Sequence, residues 1–188
     1  MSADWRLPML LRVLAALATL VVVLGPPSAP AMPRGPLPSF DLRAADGTRV
    51  SSVDLLGQQQ WILLYATPGC RPCDDLLASL GRLRADGLIR RTVLVIGAPA
   101  GEARAYAHRA LPNELRRLRW YADDQANAWR ALQLAGAPML VGIRDGRVEW
   151  GLSGAVNDAE SLRALVSHWL GESLGDGLPT SPDAGRSR

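Results

Sequence analysis

Two stretches of the chain are apolar at nearly every position, residues 61–66 (WILLYA) and 92–96 (TVLVI). Short runs of this kind, without alternation, predict strands buried on both faces of a sheet. Residues 70–84 read differently. Leu76, Leu77, Leu80 and Leu83 recur at helical spacing and predict one apolar helix face. A second helix is predicted over residues 102–111 and is ended by Pro112. A third spans residues 125–134 and stops before Gly136. A fourth spans residues 158–170, with Leu162, Leu165, Val166, Trp169 and Leu170 on one side. Asn157 is placed to cap it, and Glu160 to answer in a capping box. Trp120-Tyr121 reads as a short strand. Asp145-Gly146 joins strands at residues 139–143 and 147–150, and Asp46-Gly47 joins residues 39–42 to 48–50; both are hairpin signals. Residues 53–56 look like one helical turn before Gly57.

The resulting order is a hairpin followed by β-α-β-α-β-α-β-β-α. It predicts an α/β fold with a central mixed sheet flanked by helices on both faces, partly parallel, plus an added N-terminal β-hairpin. There is no internal repeat.

The ends have another character. Residues 13–24 (VLAALATLVVVL) form an apolar run of 12 preceded by Arg6 and Arg12, broken by Gly25-Pro26-Pro27 and followed by Ala29-Pro30-Ala31. A positive start, a short apolar middle and a small-residue end describe a secretory signal peptide or an N-terminal membrane anchor over residues 1–31. A lipid-modified cysteine is excluded there, because no cysteine precedes Cys70. Residues 32–38 (MPRGPLP) read as an exposed proline-rich linker. Residues 172–188, rich in Gly, Ser, Pro and Asp, read as a disordered tail. The folded domain is then residues 39–171.

Composition narrows the classes. At 48% hydrophobic and 21% charged, the 188-residue chain is globular. Two cysteines exclude a disulfide-stapled mini-protein and a four-cysteine metal site. All 21 basic residues are arginines, interspersed with 18 acids for a net +3, so no field for nucleic acid exists. The Arg90-Arg91 and Arg116-Arg117-Arg119 clusters read as surface charge. His108 reads as solvated and His168 as packed. Neither lies at a zinc-site spacing from the cysteines, and neither a metal nor a cofactor is expected. Trp61, Trp129 and Trp169 read as core.

One segment carries chemistry. Thr67-Pro68-Gly69-Cys70-Arg71-Pro72-Cys73 lies between the first buried strand and the leucine-faced helix. Cys70 therefore falls at a helix N-terminus, where unpaired N–H groups and the helix dipole favour an anion. That lowers a thiol's pKa and activates its sulfur. Arg71 adds fixed positive charge, and Pro72 sits in the first turn, where a missing N–H costs little. Cys73 lies one turn deeper, close enough to bridge, and suits a resolving thiol. Asp74 and Asp75 suit the helix start but oppose a thiolate nearby. A purely structural disulfide is a weak reading, since so short a loop restrains little of the unfolded chain. Pro138, after Gly136-Ala137, heads a strand, where a residue without an N–H is tolerated.

With these motifs in view, residues 39–57 (SFDLRAADGTRVSSVDLLG) followed by WILLYATPGCRPC resemble the TlpA-like thiol–disulfide oxidoreductases, an extracytoplasmic branch of the thioredoxin superfamily. The stretch from GEARAYAHRAL to Gly151-Leu152-Ser153-Gly154 resembles the methylamine-utilisation accessory type. The resemblance implies a thioredoxin-like fold and a redox-active Cys70–Cys73 disulfide, with Cys70 attacking, Cys73 resolving and Pro138 as a cis-proline. Ala137, Arg71 and Pro72 would contact substrate. It further implies a periplasmic or extracytoplasmic location and a partner protein bearing a disulfide or dithiol. A membrane electron donor would make reduction the favoured direction. The chain departs from the pattern at three places. Gly69 stands where members carry Trp, Leu64 where thioredoxins keep a buried acid, and Leu76 where several members carry Glu. Two rival readings remain. One is a peroxiredoxin-type thiol peroxidase, suggested by Thr67 three residues before Cys70, although Leu63 replaces the proline expected upstream. The other is a redox-inert binding module of the same fold.

Overall fold

The computed structural model describes residues 32, 34–55, 60–83, 86–154 and 158–171. The proposed leader at residues 1–31, Gly57 and the tail at residues 172–188 lie outside them. Eight strands form one mixed sheet: β1 (Gly35–Pro36), β2 (Asp41–Arg43), β3 (Arg49–Ser51), β4 (Gln60–Ala66), β5 (Thr92–Ile96), β6 (Arg119–Ala122), β7 (Met139–Arg144) and β8 (Arg147–Ser153). Their order across the sheet is β1-β8-β7-β4-β5-β6-β2-β3. The helices are α1 (Arg71–Arg82), α2 (Asp86–Arg90), α3 (Ala100–Ala110), α4 (Asn127–Ala131) and α5 (Ala159–Leu170).

The unbroken apolar runs have the environment their pattern demands. β4 pairs parallel with β5 on one side and antiparallel with β7 on the other. Successive side chains point to opposite faces, so Ile62, Leu64 and Ala66 enter one core cluster while Trp61, Leu63 and Tyr65 enter another. The first cluster takes the apolar faces of α1, α3 and α5; the second is closed by α4 and the first hairpin.

That hairpin is built into the sheet: β2 also pairs with β6 at Arg43 and Ala122. Arg43 Nε donates to Asp124 Oδ2 at 2.8 Å and ties the two strands' ends. The expected linker is partly structured. Gly35 and Pro36 pair with Val148 and Arg147, and the Leu37 N–H donates to the Gly146 carbonyl at 2.8 Å. Met32 and Leu37 pack on the second cluster. Apolar side chains at those two positions give an extended proline-rich segment something to bury, and an edge strand tolerates Pro36.

Other elements differ from the sequence expectation for local reasons. α4 is shorter at both ends because Ala126 and Gln133 adopt positive φ (54° and 51°). β8 runs on past Trp150 to Ser153, paired with β7 on both sides of a register shift between Gly142 and Ile143. The short helix α2 was not expected; Gly87 weakens its pattern, and burial of Leu88 supports it. Asp158 caps α5, accepting from the N–H groups of Glu160 (3.2 Å) and Ser161 (2.8 Å). The expected cap, Asn157, lies outside the described residues. His168 is exposed, because Leu162, Val166, Trp169 and Leu170 occupy the buried face of α5.

On β7, Gly142 faces Trp150 across the ladder, and a Cβ built there runs into the indole ring. The absent side chain leaves room for the Trp150 indole, which meets Trp169 edge-on at 5.4 Å. Gly142→Ala is expected to displace Trp150 and cost about 1–3 kcal/mol by overpacking. A lower urea midpoint at unchanged slope is the expected reading; an unchanged midpoint refutes it.

Candidate redox site at the start of the first long helix

β4 ends at Ala66, and the chain must turn before α1 begins. Thr67 to Cys70 form that turn, closed by the Cys70 N–H on the Thr67 carbonyl at 3.3 Å. Pro68 takes the second position, and Gly69 the third with φ 77°. A positive φ at that point of a turn is strained for any residue with a Cβ. This explains Gly69 where the resembling sequences have Trp: a Pro-Gly turn carries the chain into the helix.

Cys70 is the N-cap of α1, and its sulfur accepts the Cys73 N–H at 3.2 Å. Pro72 removes one of the unpaired donors of the first turn, so Cys73 supplies the N–H aimed at the sulfur. The two cysteines are joined by a disulfide, with Cα atoms 5.2 Å apart. Their environments are unequal. Cys73 is 1% exposed within the first core cluster, whereas Cys70 is only partly buried. Cys70 is therefore the more accessible residue of the pair.

The second half of the chain meets the first at this point. The Cys70 sulfur lies 3.6 Å from the Ala137 carbonyl oxygen. The Ala137–Pro138 peptide is cis. Pro138 is buried, and its carbonyl accepts the Gly154 N–H at 3.0 Å, which fixes the loop to the end of β8. Arg71 and Pro72 are exposed at the rim. All six residues singled out from the sequence thus lie in one place. Leu64 and Leu76 are buried in the same cluster as Cys73, so neither position supplies an acid to it. The histidines do not join the site, since both are exposed on other helices. Among the described residues, no three His, Cys, Asp or Glu side chains converge, and no helix is long and apolar enough to cross a membrane.

Two buried tyrosines hold carboxylates, and their partners escaped the sequence reading. Tyr65 donates to Asp123 Oδ2 at 2.9 Å, and Tyr106 donates to Asp74 Oδ1 at 2.8 Å. The available signal was a tyrosine on an otherwise apolar strand, whose hydroxyl needs a partner when buried. Burial first, then the Asp123 charge and hydrogen bond, raises the Tyr65 pKa above its ordinary value. Burial and then Asp74 do the same for Tyr106, opposed by the nearby Arg109. Folded-state values above the unfolded value of 10.0 mean a stability contribution present below that pH and lost as pH rises beyond it. Urea midpoints are therefore expected to fall above about pH 10, and less steeply in Tyr65→Phe. Equal slopes in the two proteins would contradict this.

No protein-family model matches the chain, and no curated protein matches it by sequence. Solved structures match its fold. A Chlorobium tepidum protein assigned as thiol:disulfide interchange protein DsbE is 21% identical, with a TM-score of 0.60 over 74% of this chain and 99% of that one. A secreted Mycobacterium tuberculosis disulfide oxidoreductase homologous to E. coli DsbE is 19% identical, with a TM-score of 0.55 over 69% and 95%. The exposed lipoprotein thioredoxin Etrx1 of Streptococcus pneumoniae is 14% identical, with a TM-score of 0.54 over 69% and 98%. The fold is thioredoxin-like.

Proposed function

We propose that this chain is an extracytoplasmic thiol–disulfide oxidoreductase that exchanges a Cys70/Cys73 dithiol with disulfides in partner proteins, with reduction the favoured direction. One observation carries the reading. The accessible sulfur of Cys70 caps a helix and accepts a backbone N–H, its partner sulfur is buried one turn below, and a cis-proline loop lies against it. In the reducing direction, the Cys70 thiolate attacks one sulfur of the substrate disulfide. That bond breaks, the second substrate sulfur leaves as a thiolate and takes a proton, and a mixed disulfide remains. The Cys73 thiolate then attacks the Cys70 sulfur and expels the first substrate sulfur as the second thiol. The substrate has gained two electrons, and the protein ends with the Cys70–Cys73 disulfide.

The helix N-terminus supports the first step by stabilising the thiolate. Burial of Cys73 supports the order, because the attacking sulfur must be the accessible one. The Ala137 backbone and the exposed Arg71 and Pro72 form the surface a substrate segment would meet. The N-terminal apolar run supports export, with residues 1–31 as a cleaved leader or a tether, residues 39–171 as the thioredoxin-like domain and residues 172–188 as a tail. A membrane protein would then return electrons to the pair. The likeness to a secreted oxidoreductase and to an exposed lipoprotein thioredoxin accords with that location. The methylamine-utilisation subtype rests on the sequence resemblance alone.

The test is insulin reduction by the described domain with dithiothreitol as electron source. Turnover well above the uncatalysed rate is expected. No acceleration, together with rapid peroxide consumption, would replace the reading with a thiol peroxidase.

A further inference from the structure

The motif's own helix holds an acid that the exchange reaction does not require. The Asp74 N–H donates to the Cys70 carbonyl at 3.2 Å, so Asp74 stands one turn beyond Cys70 and directly after Cys73. Residues four apart on a helix share a face. The Asp74 carboxylate is also held: the Tyr106 hydroxyl, reaching across from α3, donates to its Oδ1 at 2.8 Å. Tyr106 is 1% exposed and packs in the same cluster as Cys73. The hydroxyl of a buried ring therefore holds an otherwise exposed carboxylate against the cluster that contains Cys73. The other charged or titratable residues on the packed helices are Arg71, Asp75 and Arg82 on α1, Glu102, Arg104, His108 and Arg109 on α3, and Glu160, Arg163 and His168 on α5; the Ala137–Pro138 peptide brings none. Arg109 lies 5.6 Å from the Tyr106 ring centre.

We propose that Asp74, held by Tyr106, is a positioning residue that places negative charge beside the cysteine pair and makes the dithiol a stronger electron donor. The inference rests on the oxidoreductase reading. A fixed negative charge opposes formation of a second one nearby. It destabilises the Cys70 thiolate and with it the reduced form, so the pair gives up its electrons more readily. The helix N-terminus acts in the opposite sense, and Asp74 offsets part of it. This charge does not need to touch substrate.

The experiment measures the equilibrium with glutathione and the Cys70 titration, by thiolate absorbance, in wild type, Asp74→Asn, Asp75→Asn and Tyr106→Phe. Asparagine keeps an oxygen for the Tyr106 hydroxyl and loses only the charge. In Asp74→Asn, the equilibrium is expected to move toward the dithiol by about 3- to 10-fold, and Cys70 to titrate at lower pH. A tenfold change corresponds to about 30 mV for this two-electron couple. Tyr106→Phe releases the carboxylate and is expected to shift the equilibrium the same way, by about twofold. Asp75→Asn is expected to shift it less than Asp74→Asn does. An Asp74→Asn protein that matches wild type, or that cannot be told from Asp75→Asn, overturns the inference and leaves the oxidoreductase reading intact. A wild-type pair that does not equilibrate with glutathione overturns both.

Discussion

Replacing Cys70 by serine is expected to reduce insulin turnover to the uncatalysed background, a loss on the order of a thousandfold or more, as when a covalent nucleophile is removed. The loss reports chemistry and not unfolding. Serine is a good N-cap, and its oxygen can accept the Cys73 N–H that now points at the sulfur. The disulfide closes so short a loop that losing it costs about 2 kcal/mol at most. Circular dichroism should therefore be unchanged. Cys73→Ser must behave differently. Cys70 can still attack, but nothing resolves the product, and a mixed disulfide with the substrate accumulates. That species is visible on a non-reducing gel and disappears on reduction. Turnover in both variants equal to wild type would leave a redox-inert binding module. Peroxide consumption that survives Cys73→Ser would point to a peroxidase, which needs only the first sulfur.

The contrast between the two variants follows from unequal burial, and that inequality was legible in the sequence. Two cysteines three apart, at the junction of an apolar run and a leucine-faced helix, put one sulfur at the helix start and the other a turn inside. The central strands were equally legible, because residues 61–66 and 92–96 carry no alternation and fit only a sheet covered on both faces. Pro138 was legible as a strand head, since a proline there gives up no ladder bond. What stayed hidden depends on contacts across long sequence separations. The pairing of Gly35-Pro36 with β8 has no periodicity to betray it; two residues beside prolines look like linker until the hairpin they pair with is in place. The ends of α4 were misread because Ala126 and Gln133 carry the positive φ values that delimit it. Alanine and glutamine do not announce such a backbone. Local hydrogen bonds accompany it: Asp123 accepts the N–H groups of Ala126, Ala128 and Trp129, and the Leu134 N–H turns back past Gln133 to the Trp129 carbonyl.

Asp123→Ala is expected to cost about 3–5 kcal/mol of stability. Asp123 is 3% exposed. Burying an anion costs several kcal/mol, so its retention has to be explained by what it satisfies. Its Oδ1 accepts the Ala128 N–H at 3.2 Å, and its Oδ2 accepts the Trp129 N–H at 3.1 Å and the Tyr65 hydroxyl at 2.9 Å. The two amides belong to the first turn of α4 and have no other acceptor within the helix. Alanine removes all three bonds at once and leaves buried donors unpaired, each at about 1–3 kcal/mol before relaxation or water entry. Relief of the anion's desolvation recovers part of that sum. Tyr65→Phe removes one donor and leaves the carboxylate two, so it is expected to cost about 1 kcal/mol. Tyr65 also meets Trp129 edge-on at 5.4 Å, a contact phenylalanine retains. Urea denaturation of both variants decides the matter. A cost for Asp123→Ala no greater than that for Tyr65→Phe would mean that the backbone of α4 is held by its packing and that the carboxylate contributes nothing beyond the tyrosine bond.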